Sequence, residues 1–288
     1  MYSTLSVHFL PALTTPEELA AGVVVVIDVL RATTTITTAL AAGAREVIAC
    51  AEVEQARHKA AELGRHRQAS AKALVAAAAE LSGATATTVA PAIHSAKSEP
   101  LLGGERGGLP IDGFDLGNSP CEYTPQVVAG RTIVFTTTNG TQALVACSTS
   151  RRVLIGSFVN FSAVLNELTG DLPMHLLCAG TRGRITREDV LFAGSLVEQL
   201  AGRIVEEEAL NDEARIARDV WRQAMGKVRP PDRRANQRLV EVLKETQGGS
   251  NLLGVGLARD IADAAQVDRY DFVPVFDPDG WRIVRSPS

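Results

Sequence analysis

The feature that most restricts this chain is the run Val23–Ile27, five consecutive β-branched apolar residues, VVVVI. A strand that is apolar at every position, not at alternate ones, has to be covered on both faces. Such strands belong to sheets with helices packed on either side, so this run alone points to an α/β architecture. An acid, Asp28, follows at once, then Arg31, then ATTTITTALAAGA, whose alanine and leucine content and closing Gly43 suit a helix with a glycine cap. Open α/β sheets bind ligands in the crevice beyond the carboxyl ends of their strands. The free N–H groups of a helix start in that crevice favour anions. Arg31 and the hydroxyls of Thr33, Thr34 and Thr35 add donors suited to phosphate. A purely structural reading is equally simple: Asp28 caps the helix and Arg31 pairs with a surface acid.

The same strand–turn–helix order recurs. RTIVFTTTNGTQALVAC predicts a strand over Thr132–Thr136, a polar turn of Thr137, Thr138 and Asn139, and a helix ending near Cys147. VLIGSFVNFSAVLNEL predicts another strand and helix. MHLLCAGTRGRITREDVLFAG predicts a strand over Met174–Ala179, a loop with glycine and arginine, and a helix from about Arg187. Ser3–Leu10 alternates like an edge strand, Pro16 opens a helix, and a short strand at Glu46–Cys50 precedes a helix from near Glu52. Ile204–Thr246 reads as helical with a break at Pro230 and Pro231, and the C-terminus as two short strands around an Asp279-Gly280 turn. Alternation at this spacing predicts a mostly parallel sheet with helices on both faces.

No repeat and no long linker divides the 288 residues, so the expectation is a single domain over 1–288. It carries an alanine-rich insertion at about 66–100, read as the helix AKALVAAAAEL followed by a small, polar loop. The next stretch, Leu101–Pro120, holds six glycines and two prolines and reads as a shaped loop rather than a long strand. Phe114 and Leu116 would anchor it, and it carries Glu105, Arg106, Asp112, Asp115 and Asn118.

A net charge of −4 and the lack of a basic run argue against nucleic acid as a partner. No apolar segment approaches the roughly 20 residues that cross a bilayer, and the first residues, MYSTLSVHFLP, do not read as a signal peptide. Cys50, Cys121, Cys147 and Cys178 are widely spaced, which suits free thiols in the cytoplasm. A homo-oligomer is compatible with all of this, and the sequence leaves oligomeric state open.

Neither GxxxxGK[ST] nor HExxH nor a zinc-type Cys/His cluster is present. What remains is carboxylates at strand ends mixed with arginines, threonines and an asparagine. Oxygen ligands alone suit a hard cation such as Mg²⁺, which commonly takes one or two protein carboxylates. Arginines and helix starts beside them suit phosphate. The composite is a metal-assisted site for a small anionic phosphoester.

Four blocks in order, IDVLRATTTI, GGERGGLPIDGFDLGNSP, TTTNGTQAL and CAGTRGRITREDVLFAG, resemble the 2-phosphosulfolactate phosphatase (ComB) family. With the VP-containing C-terminus, the resemblance spans nearly the whole chain except the region around 66–100. It implies a three-layer α/β/α fold and a Mg²⁺-dependent phosphatase converting 2-phospho-3-sulfolactate to 3-sulfolactate and phosphate, a step associated with coenzyme M biosynthesis.

Role assignments on these blocks are our own. Asp28 is taken as a metal ligand or, in an unrelated arrangement, a nucleophile; a haloacid-dehalogenase-type pair is ruled out because Leu30 stands where its second Asp would be. Glu105 is the second ligand or the base that orients water. Arg31 and Arg106 hold phosphate or the substrate's own anions, and Asn139 donates to a phosphoryl oxygen. Thr33, Thr34, Asn118, Thr138 and Arg182 are further substrate contacts. Glu188 and Asp189 suit a helix first turn; the resemblance brings them in as further metal ligands.

Two rivals are kept open. CAGTRGR fits C-x5-R, which would make Cys178 a thiolate nucleophile and Arg184 its phosphate ligand. Alternatively, the chain could bind a phosphorylated metabolite without turning it over.

Overall fold

The computed structural model describes residues 4–82, 99–226 and 233–286. Among these, ten strands form one mixed sheet: β1 (Leu5–His8), β2 (Val23–Ile27), β3 (Glu46–Ala49), β4 (Leu101–Arg106), β5 (Leu109–Pro110), β6 (Thr132–Thr136), β7 (Arg152–Gly156), β8 (Met174–Cys178), β9 (Pro274–Asp277) and β10 (Arg282–Arg285). Their order is β1-β8-β2-β7-β9-β10-β3-β6-β4-β5. β1, β8, β2 and β7 are mutually parallel, as are β3, β6 and β4.

The C-terminal hairpin β9–β10 stands between these two sets and pairs antiparallel on both sides, with β7 and with β3. Three antiparallel pairings in succession make the two sets run in opposite senses along the sheet. From β2 to β4 there are six steps. A twist of roughly 20–25° at each step swings the strand ends of one set back toward those of the other.

The run Val23–Ile27 divides as pleat geometry requires. Val23, Val25 and Ile27 enter one core, and Val24 and Val26 enter the other. The first core lies under helices Phe161–Glu167, Arg187–Leu200, Asp212–Met225 and Arg233–Lys244. The second is filled by helices Ala32–Ala41 and Gly140–Ala146, packed on Val47, Ala49, Ile133, Phe135, Val153, Ile155, Phe276 and Ile283. Nine residues of helix Ala32–Ala41 are buried, which explains a sequence with no polar face beyond short hydroxyls. Ala56, at the start of helix Val53–Ser82, meets Ile48 and Val134 on the outer face of β3 and β6. The result is a three-layer α/β/α fold.

Two expectations change. The stretch from Leu101 does not begin as a loop: its first six residues are β4, parallel to β6. Its glycines serve close approach rather than flexibility, because a Cβ on Gly104, whose φ is +137°, would overlap the carbonyl oxygen of Thr136. The helix expected within the alanine-rich insertion is continuous with its predecessor, as helix Val53–Ser82. The loop after it falls on 83–98, and the break at Pro230 and Pro231 on 227–232; both lie outside the described residues.

Candidate active site

Because of the curl of the sheet, residues after β2, β4, β6 and β8 come together. Thr138 N–H donates to Glu105 Oε1 at 2.8 Å, and Arg182 N–H donates to Asn139 Oδ1 at 2.9 Å. Arg31 Nη2 reaches Gly108 O at 3.0 Å. Gly140 begins its helix so close to Asp28 that a Cβ there would stand 3.2 Å from Asp28 Oδ2.

Asp28 is buried, directly beyond β2. Its Oδ1 accepts from the first helical N–H, that of Ala32, at 3.3 Å, although the N-cap position itself is Arg31. Its Oδ2 makes no hydrogen bond among the described residues. Burial, then the neighbouring Glu105 and, more weakly, Glu188, push its carboxyl up to about 7. Glu105 is also buried and accepts from two backbone N–H groups, Thr138 on Oε1 and Gly108 on Oε2 at 2.6 Å.

Glu188 and Asp189 open helix Arg187–Leu200, both buried, and they differ in what holds them. Asp189 accepts three hydrogen bonds, from Val29 N–H, Gly180 N–H and Thr186 Oγ1. It therefore ties the ends of β2 and β8 to its own helix, and its oxygens are occupied. Glu188 Oε2 is buried with no partner, and its other oxygen lies against Gly248, where a Cβ would overlap it. Burial raises the Glu188 carboxyl, and burial, Asp28 and Glu188 together raise Asp189 well above the usual range.

The threonines of the helix start do not present free donors. Thr33 Oγ1 donates to Asp28 O and Thr34 Oγ1 to Val29 O, so they build the turn that holds Asp28. Arg31, one of the predicted anion donors, is paired with the buried Asp260 at 2.8 Å. Neither Arg106 nor Arg182 pairs with an acid among the described residues. Arg106 is held by the carbonyls of Glu105 and Ala51 and by Thr136 Oγ1. Arg182 sits at φ +52° in the tight turn closed by Thr181 and Arg184, with its guanidinium beside Gly107. Asn118 Oδ1 is buried without a partner.

Sequence reasoning missed Asp260 and Gly248, which lie in segments with no motif of their own, and Ser119, which closes the block GGERGGLPIDGFDLGNSP beside Asn118. Nothing local marks them, since their partners are far away in the chain.

Cys178 is the last residue of β8, fully buried in the first core. Burial, with Asp189 and Glu188 near, holds its thiol well above the ordinary value. A nucleophilic thiol needs the reverse, an exposed and electropositive setting. The cysteine rival lacks its chemistry here.

Among the described residues no group of three or more His, Cys, Asp or Glu side chains is arranged to chelate a metal. The donors present, Asp28 Oδ2 with Glu105 in its field, suit the one or two carboxylates plus water that Mg²⁺ takes. The orphaned oxygen of Glu188 adds to the same negative field.

The family model for 2-phosphosulpholactate phosphatase matches residues 8–77 and 69–279. A protein of Symbiobacterium thermophilum is 36% identical over 267 residues, covering 90% of this chain and 93% of its own. One from Pseudothermotoga lettingae is 34% identical over 257 residues (89% and 90%), and one from Clostridium perfringens 33% over 271 (94% and 92%). All three bear the name "probable 2-phosphosulfolactate phosphatase". Since the family model runs through every strand-end segment described above, and these relatives, 33–36% identical, cover 89–94% of the chain, the chain belongs to the 2-phosphosulfolactate phosphatase family.

Proposed function

We propose that this chain is a Mg²⁺-dependent phosphatase that hydrolyses 2-phospho-3-sulfolactate, or a related 2-phospho-2-hydroxy acid, to the hydroxy acid and phosphate. Family membership supports the substrate class. The observation that carries the chemistry is Asp28, a buried carboxylate with one oxygen unpartnered, in the field of other acids. Such a group is costly to ionise unless a cation joins it.

In this reading Asp28 and Glu105 hold the metal, and Glu188 contributes its charge. Asp189, which accepts three hydrogen bonds to Glu105's two, orients them through the backbone. When bound, Mg²⁺ supplies charge neutralisation at the phosphoryl oxygens. Arg31, Arg106 and Arg182 bind the substrate's anionic groups. Asn139, its carbonyl oxygen already held by Arg182 N–H, offers its NH₂ to a phosphoryl oxygen. Water forms the new P–O bond as the ester P–O bond breaks, and the departing alkoxide takes up a proton. We place the enzyme in the cytoplasm, as one domain, at a step of coenzyme M formation.

The test is phosphate release from a panel of 2-phospho-2-hydroxy acids. We expect turnover with Mg²⁺, loss in excess chelator and recovery on adding the metal back. Full activity in chelator together with an inactive Cys178→Ser variant would overturn the reading.

A further inference from the structure

Asp260 lies in the short helix Ala258–Ala264 near the C-terminus, and its side chain is 1% exposed. Oδ2 takes Arg31 Nη1 at 2.8 Å, and Oδ1 takes the hydroxyl of Ser119 at 2.5 Å. Arg31 is itself 5% exposed, and its Nη2 donates to Gly108 O in the turn after Glu105. One guanidinium is thus held at two points, by an acid from the end of the chain and by a carbonyl from the β4–β5 turn. Ser119, also buried, holds the acid from a third segment.

A guanidinium has five N–H donors in a rigid fork. Two are engaged by Asp260 and Gly108 among the described residues, so the others remain for a ligand in the same plane. A buried ion pair is weak evidence for stability, because desolvation offsets its attraction. Its effect here is orientation: the fork cannot swing while Asp260 grips one arm and Gly108 the other.

We infer that Asp260 is the positioning residue for Arg31, and that Ser119 positions Asp260. Both oxygens of Asp260 are committed, so it acts through Arg31 and not on substrate. The inference rests on the proposed reading of Arg31 as a substrate-binding group.

The experiment compares Arg31→Ala, Asp260→Asn, the double variant and Ser119→Ala, measuring kcat, KM and Tm with Mg²⁺ present. Asp260→Asn should lower kcat/KM by ~100-fold, the scale of a misplaced binding group. The double variant should be no worse than Arg31→Ala, the mark of two residues acting as a unit. Added guanidinium should partly restore Arg31→Ala but not the double variant, because Asp260 is the seat the free ion would occupy. A merely structural pair would move Tm and leave this rescue difference absent.

Should Asp260→Asn not fold, Ser119→Ala keeps the ion pair and should lower kcat/KM several-fold, with Tm falling only by the loss of one buried hydrogen bond. Wild-type kinetics in Arg31→Ala would sink the site reading itself. An impaired Arg31→Ala beside wild-type kinetics in Asp260→Asn, or in Ser119→Ala where that is the variant available, would overturn the positioning role alone.

Discussion

At the residue scale, Asp28 is a position where burial among acids costs stability, and in the proposed reading that cost serves chemistry. Its carboxyl is raised from 3.8 to about 7, by burial first and then by Glu105. The folded state therefore holds this proton more tightly than the unfolded state does. The metal-free protein should lose stability from this group as pH rises from about 4 through 7. Asp28→Asn should stabilise the metal-free fold at pH 8, seen as a higher Tm, while lowering kcat/KM by at least about a hundredfold. A variant that is both less active and less stable at pH 8 would argue that Asp28 is mainly structural. The pair His8 and His175 makes the opposite prediction. Their rings stack with Nε2 of His8 3.1 Å from Nδ1 of His175. Burial and then His8 depress His175 to about 4, and burial depresses His8 against the pull of Glu18 and Glu213. Here the folded state binds fewer protons, so stability is full above about pH 6.5 and falls as pH drops toward 4. Urea unfolding at pH 7 and pH 5 should show this loss, and His175→Gln should flatten it.

At the element scale, β4 is a strand that only glycine permits. Gly104→Ala combines an unfavourable φ with an overlap on Thr136, and should destabilise by about 2–4 kcal/mol. It should also disturb Glu105 next to it, so urea midpoint and activity should fall together. Helix Val53–Ser82 offers a contrast. Among its described side chains, those packed on the core are Ala56, Ala60 and Leu63 near its start. A Cβ on Gly64 would stand 2.9 Å from Glu99 Oε2, so the two ends of the segment 65–98 meet in space. Replacing 65–98 by a short linker should leave a folded, active protein, since loop length itself costs only about 0.6 kcal/mol per doubling. Loss of cooperative unfolding in that variant would show that the segment belongs to the core.

At the scale of the whole molecule, the hairpin β9–β10 is the seam between two opposed sets of parallel strands. Ile283 and Phe276 on it are buried with residues from β2, β3, β6 and β7. Ile283→Ala should cost about 2–4 kcal/mol, and near-UV circular dichroism should show both halves loosening at one denaturant concentration. Two separate transitions would mean that the halves fold independently of the seam. No described helix is long and apolar enough to cross a membrane.

By itself the sequence determined most of the segments that become strands and helices, because each rule involved is local; β4, read as a loop, is the exception. Five apolar residues in a row made β2 a doubly covered strand, and Asp28 stood where strand ends make sites. The strand over Thr132–Thr136 and the helix start near Arg187 were legible for the same reason. Local rules could not say that the glycines of Leu101–Arg106 serve a tight strand pairing, since the atom they avoid belongs to Thr136. Nor could they say that Thr33 and Thr34 turn their hydroxyls to the backbone, or that Asp189 is fully hydrogen-bonded while Glu188 is not. Those outcomes depend on which groups end up within about 3 Å. The partner of Arg31, Asp260, lies 229 positions away, and only the folding of the C-terminal segment against the Ser119 turn brings it there.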